Sequence, residues 1–265
     1  MECEVGTFLK WKFNAEKWNP SPEEFNCYLQ YVQPEERIRI KKFFHFIDSK
    51  RALAGRLLLR QAIHTLLNVN WSSIELGRSS DNKPIIKKIK NSDIPFKHIS
   101  VNISHHGEWV ALIAHTKKIV GIDVMNTTED PRTDIDSFFD LMADVFTKNE
   151  WKEINELKED NQRLERFYKF WSLKESYVKA IGKGLVLDLQ SIEFTLNRDD
   201  IGKTVETATL YRDGKRMDDW KFYIYHLDDI HCSSIAINSV EDDNIKNIDF
   251  ENLSIEKLVE NAENV

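Results

Sequence analysis

Cysteine is scarce in this chain: Cys3, Cys27 and Cys232 are the only three in 265 residues. They are far apart and odd in number, and none stands in a C-x-x-C or Cys/His zinc spacing. A disulfide framework and a structural zinc site are therefore excluded, and free thiols in a reducing cytoplasm are expected. Long apolar runs are also missing. None approaches the ~20 residues of a membrane helix, and the opening Met1-Glu2-Cys3-Glu4 has neither a basic nor an apolar leader region, so no membrane association and no secretory signal are expected. Positive charge is in deficit, with 37 Lys and Arg against 44 Asp and Glu and a net charge of −7. A general nucleic-acid-binding surface does not fit that balance, so an anionic ligand must be gripped by a local cluster. Gly182-Lys183-Gly184 lacks both the residues and the strand-loop-helix order of a phosphate-binding P-loop. Ser104-His105 lacks a nucleophile elbow, and adjacent strand residues point to opposite faces, so a Ser-His hydrolase is disfavoured.

What remains is an ordinary globular composition, 41% hydrophobic and 31% charged, arranged in two similar blocks. The first opens with a strand-like alternation at Phe8–Phe13. Short helices are expected after Ser21-Pro22, with Ser21 as N-cap, and at Pro34-Glu35. A long helix follows from about Asp48 to Leu67. Strand patterns then run over Ser73–Leu76, Pro84–Lys88, Ile99–Ser104, Trp109–His115 and Ile119–Val124. The second block repeats the order, with helices at Asp136–Ala143, Lys148–Leu157 and Gln162–Ile181. Its strands are expected at Ser191–Leu196, Val205–Tyr211, Lys221–His226 and Ser233–Asn238, and Asp213-Gly214 marks a hairpin. The pattern predicts an α+β chain of two pseudo-equivalent lobes, each a long helix on an antiparallel sheet, at residues 1–124 and 125–240. The remaining residues, 241–265, form a tail rich in Asp, Glu and Asn that reads as partly disordered, with a helical turn at Ser254–Val259.

Two segments carry chemistry. On the helix ending at Ile181, an advance of 100° per residue places Phe167, Phe170, Trp171, Tyr177, Val178 and Ile181 on one face. Glu175 and Lys179 lie beside it, one turn apart, as an exposed i,i+4 ion pair also would. Lys174 falls within the apolar stripe, where a lysine must either carry its amine outward or meet an anion. The second segment, Val120-Gly121-Ile122-Asp123-Val124-Met125, sets an acid at the end of an apolar strand. Asp123 either opens a turn or presents a carboxylate to a cleft. A magnesium ion takes one or two such oxygens together with phosphate and water, and Asp123 with Glu175, one from each lobe, would supply them. Ser104, His105 and the turn that follows offer phosphate donors or simple local caps. Arg78 and Lys83 bring two cations around another turn, Arg39 lies on a short helix, and Arg56 and Arg60 read as structural.

In order along the chain stand Gln33-Pro34-Glu35-Glu36, Ala54-Gly55-Arg56, Lys83-Pro84, Asn102-Ile103-Ser104-His105, Gly121-Ile122-Asp123 and Trp171-x-x-Lys174-Glu175-Ser176-x-x-Lys179. This series resembles the surfactin-synthetase-activating class of phosphopantetheinyl transferases, over about Gln33 to Ile237. The resemblance implies coenzyme A bound between two lobes, with Mg²⁺, or alternatively Mn²⁺, on its pyrophosphate. Asp123 and Glu175 would hold the metal. Glu175, Lys179 and Asp123 would be the catalytic groups, with Glu175 as general base. Arg39, Arg78, Lys83, Asn102, Ser104, His105 and Ser176 would join them in holding coenzyme A. The expected partners are acyl carrier protein domains of the fatty-acid synthase and aminoadipate-reductase types, acted on by a cytoplasmic monomer. Met125 stands where bacterial members carry a further acid, and its thioether is a poor ligand for a hard cation. A non-catalytic coenzyme A binder that kept the fold is the alternative. For carrier docking the sequence offers the helix around Phe138-Phe139-Asp140-Leu141-Met142, which core packing would also explain.

Overall fold

The computed structural model describes residues 8–79, 82–90, 96, 99–129, 131–182, 184, 187–240 and 245–265. The chain divides into two units: Met1–Ile103 with Glu108–Lys117 and Phe250–Val265, and Ser104–Gly107 with Lys118–Asp249.

The first unit is built on β1 (Phe8–Asn14), α1 (Pro22–Tyr28), α2 (Pro34–Ile40) and the 22-residue α3 (Phe46–Leu67). Ser21 caps α1 as expected: its hydroxyl accepts from Glu24 N while Glu24 accepts from Ser21 N, a reciprocal capping box. A hairpin of β2 (Ile74–Arg78) and β3 (Pro84–Ile89) follows, then β4 (Ser100–His106) and β5 (Trp109–His115). Strand β1 runs antiparallel to β5, with β4 on the far side of β5. Leu53, Ala54, Leu57, Leu58, Ala62 and Ile63 of α3 are fully buried in this unit's core.

The outer partner of β1 comes from the chain's last stretch. β12 (Glu251–Asn252) pairs in parallel with it, ahead of helix α7 (Ile255–Val259). That stretch lies in the segment whose composition predicts disorder. Leu253, Ile255 and Leu258 are all buried there. Each such side chain gains about 1.5–3 kcal/mol on leaving water, which offsets the ordering of a short, otherwise charged segment.

The second unit begins with β6 (Val120–Asn126) and continues through α4 (Ile135–Leu141), α5 (Lys148–Asn155) and the 22-residue α6 (Asp160–Ile181). Strands β7 (Ile192–Leu196), β8 (Val205–Arg212), β9 (Lys215–Arg216), β10 (Trp220–His226) and β11 (His231–Asn238) complete it. The sheet order is β6-β11-β10-β8-β7, antiparallel throughout, with β9 folded back on β8 through Asp213-Gly214. An aromatic cluster of Phe139, Phe146, Phe167 and Phe170 fills the core beside α6.

The two-block reading is corrected at one point. The Ile119–Val124 pattern ends the first block in sequence, yet it becomes β6, whose partner is β11. Asp123 therefore belongs to the second unit along with Glu175, not to an opposite half.

Helix α6 lies directly on β6, and glycine permits it. A Cβ at Gly121 would fall 2.0 Å from the Ser176 carbonyl oxygen and 2.7 Å from Ala180 N. Small residues recur every fourth position on the facing side of the helix, at Ser172, Ser176 and Ala180. Gly121→Ala must push helix and strand apart at the point where Asp123 is positioned. Its expected outcome is a drop of roughly 1–3 kcal/mol in unfolding free energy by urea titration, the range of overpacking and backbone-shift penalties.

Candidate active site

Three of the expected site residues converge in the second unit. Asp123, 5% exposed, lies on the α6 face of β6. Its Oδ1 accepts from Ser104 Oγ at 3.0 Å and from Lys179 Nζ at 2.6 Å. Lys179 Nζ also donates to Ser104 Oγ at 2.9 Å, and Val124 N donates to the same hydroxyl at 3.2 Å. A serine hydroxyl has one proton and two lone pairs, so Ser104 is saturated. The sequence expectation placed that hydroxyl on a coenzyme A phosphate. In this structure the hydroxyl fixes Asp123 and Lys179.

The other oxygen, Asp123 Oδ2, is buried with no hydrogen-bond partner among the described residues. Ser234 stands opposite Asp123 across the β6–β11 ladder, and its hydroxyl is likewise buried without a partner. Cross-strand neighbours share a face of the sheet, so two unpaired hard oxygens point to the α6 side. Sequence reasoning missed Ser234, because nothing local marks a strand residue by its partner 111 positions away. It missed Ser172 as well, fully buried with its hydroxyl 3.4 Å from the Asp123 carbonyl oxygen. The four-residue spacing of small side chains on α6 was the available signal.

Glu175 is half-buried on α6, one turn before Lys179 and on the same helix face. Ser176, assigned to ligand binding from the sequence, stands where α6 packs on β6. It is fully buried, its hydroxyl donates to Leu173 O at 2.8 Å, and its backbone packs on Gly121. Lys174 resolves the question its position raised. It is 1% exposed, and its Nζ lies 2.8 Å from Glu150 Oε2, itself 0% exposed, and 2.7 and 2.8 Å from the carbonyls of Leu189 and Ile192. Glu150 completes the arrangement by accepting from Thr147 N and Phe194 N. Burial pushes the Glu150 carboxyl up and the Lys174 amine down, each against the pull of its partner's charge.

The end of β4 is pinned from several directions within this unit. His106 Nδ1 accepts from Asn126 N at 2.9 Å while Nε2 meets Glu129 at 2.9 Å. Gly107, at φ +53°, leaves no room for a side chain, since a Cβ there would fall 2.0 Å from His231 Nε2. Asp228 in turn holds His231 Nδ1 at 2.9 Å. Between these anchors His105 is exposed, on the opposite face from buried Ser104.

The remaining sequence-predicted residues lie in the first unit. Glu36, 3% exposed on α2, gathers Arg39 at 2.9 Å, Arg78 at 2.6 Å and Arg56 at 3.4 Å. Burial alone would raise the Glu36 carboxyl, but the Arg78 hydrogen bond and the charges of Arg56 and Arg39 hold it down to about 2. Burial draws Arg56 down to about 10, against the pull of Glu36. One carboxylate against three guanidiniums leaves these four side chains with two positive charges in excess, and Arg39 and Arg78 remain partly exposed. It is a local concentration of positive charge in an otherwise acidic chain. The sequence offered Arg39 and Arg78; their shared anchor, Glu36, was not foreseen. Arg60 is structural as expected, donating to the carbonyls of Trp71 and Ile74. Lys83 is half-buried and closes the turn after β2 through backbone bonds with Ser79, and Asn102 is half-buried on β4. Ser80 and Asp81 of that turn, and Lys183 after α6, lie outside the described residues.

On the helix offered for docking, the core-packing alternative describes Phe139. Phe139 is 6% exposed and stacks on Phe167 at 5.4 Å, so it is core; Leu141, 81% exposed, is the apolar side chain α4 leaves outside.

The second unit thus sets a buried carboxylate on a strand against a lysine and an acid one turn apart on a helix, and the first unit holds an arginine cluster around Glu36. Comparisons with known proteins identify the family. Residues 16–117 match the family described as 4'-phosphopantetheinyl transferase, N-terminal, and residues 119–236 match the 4'-phosphopantetheinyl transferase superfamily. The chain belongs to this family. It is 36% identical over 245 residues to L-aminoadipate-semialdehyde dehydrogenase-phosphopantetheinyl transferase of Mus musculus, covering 92% of this chain and 79% of that protein. The Homo sapiens protein of the same name is 37% identical over 231 residues, covering 86% and 74%. The 4'-phosphopantetheinyl transferase Sfp of Bacillus subtilis is 31% identical over 179 residues, covering 68% and 73%. The boundary between the two matched regions falls at the Lys117–Lys118 division of the structure.

Proposed function

We infer that this protein transfers the 4'-phosphopantetheine group of coenzyme A to a serine of an apo acyl carrier protein domain, releasing 3',5'-ADP. The observation that carries this reading is the Ser104–Asp123–Lys179 cluster, whose Asp123 and Lys179 lie within the region that matches the 4'-phosphopantetheinyl transferase superfamily.

The residues present fit a divalent cation. Asp123 Oδ2 is a buried, unpartnered hard oxygen, and Glu175 is a second carboxylate on the facing helix. Among the described residues there is no group of three or more His, Cys, Asp or Glu that could hold a metal. A Mg²⁺ ion that keeps its waters and leans on substrate phosphates needs no such cage. Bound there, it would neutralise charge on the pyrophosphate. Mn²⁺ satisfies the same oxygen set.

The chain's own groups then have distinct tasks. Lys179 meets the pyrophosphate and stabilises charge on the departing phosphate. Glu175 receives the proton of the carrier serine as its oxygen attacks the β-phosphorus, and the bond to the 3',5'-ADP oxygen breaks. No serine of this protein acts as nucleophile. Arg39 and Arg78, with Lys83 on the adjoining turn, bind the nucleotide end and its 3'-phosphate, and Asn102 and His105 of β4 are proposed as further contacts to coenzyme A. Carrier domains of the fatty-acid synthase and aminoadipate-reductase types are the proposed acceptors, and the enzyme is proposed to act as a monomer in the cytoplasm. Among the described residues no helix is long and apolar enough to cross a membrane.

The test is incubation of the purified protein with an apo carrier domain, Mg²⁺ and a fluorescent coenzyme A analogue. Label is expected on the carrier serine, dependent on the metal. Analogue binding without labelling, across several carriers, would establish the non-catalytic binder instead.

A further inference from the structure

Lys179 is placed to serve two anions that it cannot serve at once. Its ammonium lies 2.6 Å from Asp123 Oδ1, and the remaining oxygen of that carboxylate is buried and unpartnered. A second cation on Oδ2 would stand within about 5 Å of the ammonium, where like charges in a partly buried site repel strongly. Ion and lysine therefore compete for one carboxylate. The competition can be relieved. Lys179 is 28% exposed on a long flexible stem, whereas Asp123 is fixed in a strand. Once the ammonium leaves, Ser104 still donates to Oδ1 and is itself held by Val124 N, so the carboxylate keeps its orientation. The only thing required is another anion within the reach of Lys179, and a diphosphate provides it.

We propose that Lys179 makes the divalent ion and the diphosphate substrate bind as a pair: it occupies Asp123 against the ion until the substrate draws it away. The proposal rests on the assignment of Asp123 and Lys179 given above, and it adds an order of events that the assignment alone does not contain. Coupling of this kind is reciprocal. Whatever factor coenzyme A adds to ion affinity, the ion adds to coenzyme A affinity. Direct contact between ion and phosphate would also couple the two, so the distinguishing measurement is ion binding with no substrate present.

That measurement is a titration of the full-length protein with Mn²⁺, reading free ion by electron paramagnetic resonance, without carrier. Lys179→Met is expected to bind Mn²⁺ at least about tenfold more tightly than the wild type when coenzyme A is absent. Lys179→Gln should behave the same way, which guards against a folding defect in one variant. Lys179→Arg keeps the charge and should stay at the wild-type value. Adding Asp123→Asn to Lys179→Met should abolish the gain. Adding coenzyme A should tighten Mn²⁺ binding by a smaller factor in Lys179→Met than in the wild type. Equal or weaker Mn²⁺ binding by both neutral variants, with unchanged circular dichroism, overturns the proposal. So does a gain that survives Asp123→Asn, because the ion then sits elsewhere. Failure of the functional reading looks different: the wild type would bind no coenzyme A at any Mn²⁺ concentration, which removes the coupling by removing the substrate.

Discussion

Asp123→Asn is expected to lower the rate of carrier labelling by about 10³-fold or more, the scale of losing a preorganised electrostatic group at a transition state. The reason lies in how the carboxylate is held. Its Oδ1 is tied to Ser104 and Lys179, and its Oδ2 is left buried and unpartnered. An amide keeps the size of the side chain and can still accept at one position. It cannot present two anionic oxygens, and it places donor hydrogens where a cation would sit. The fold should survive, since β6 stays paired with β11 along its length and Gly121 still admits α6. The check is kcat/KM for labelling, with the thermal midpoint measured alongside. A variant that retains more than a tenth of wild-type activity would remove Asp123 from the reaction. A loss of activity matched by a collapse in the midpoint would show only that the residue is structural.

A second large effect is expected at Lys174, whose ammonium is buried against Glu150. Lys174→Met should destabilise the protein by about 3–5 kcal/mol, the penalty for stranding one partner of a buried ion pair. Glu150 is 0% exposed and would lose its counter-charge, and the carbonyls of Leu189 and Ile192 would lose their donor. That is a large share of the roughly 5–15 kcal/mol by which native proteins are stable. Adding Glu150→Gln removes the stranded charge and keeps one acceptor oxygen, enough for one of the two amides, Thr147 N or Phe194 N, that the two carboxylate oxygens now serve. The double variant should therefore recover at least about half of the loss, a coupling expected of residues in direct contact. Urea unfolding midpoints of the two single variants and the double give the answer. A Lys174→Met protein within about 1 kcal/mol of wild type would contradict the description of this pair as desolvated.

These two residues also show what the sequence could and could not convey. The helical wheel flagged Lys174 as misplaced, because periodicity is local. It could not name Glu150, which sits 24 positions earlier on another helix. Element positions were legible nearly everywhere, since helix and strand periods and caps such as Ser21 are written in neighbouring residues. Partners were not. β6 followed β5 in sequence and so read as the end of the first block, but its hydrogen bonds go to β11. The tail misled for a different reason. Its average composition is that of a disordered segment, while three apolar side chains and a two-residue parallel pairing are enough to seat its last part. At the site, charged residues announced themselves and small ones did not. Asp123 and Lys179 could be picked out, whereas Ser172 and Ser234 look like filler until the sheet is assembled.

The parallel seat of Glu251–Asn252 against β1 has a consequence for how the molecule comes into being. The first unit is laid down in three pieces, and its closing strand and helix emerge only after the whole second unit has been translated. While the ribosome is still at work, one flank of β1 stays unpaired and the α3 surface that α7 will cover stays bare. The amino-terminal segment is thus obliged to wait for the rest of the polypeptide, and severing the chain at residue 117 would not liberate an autonomous half.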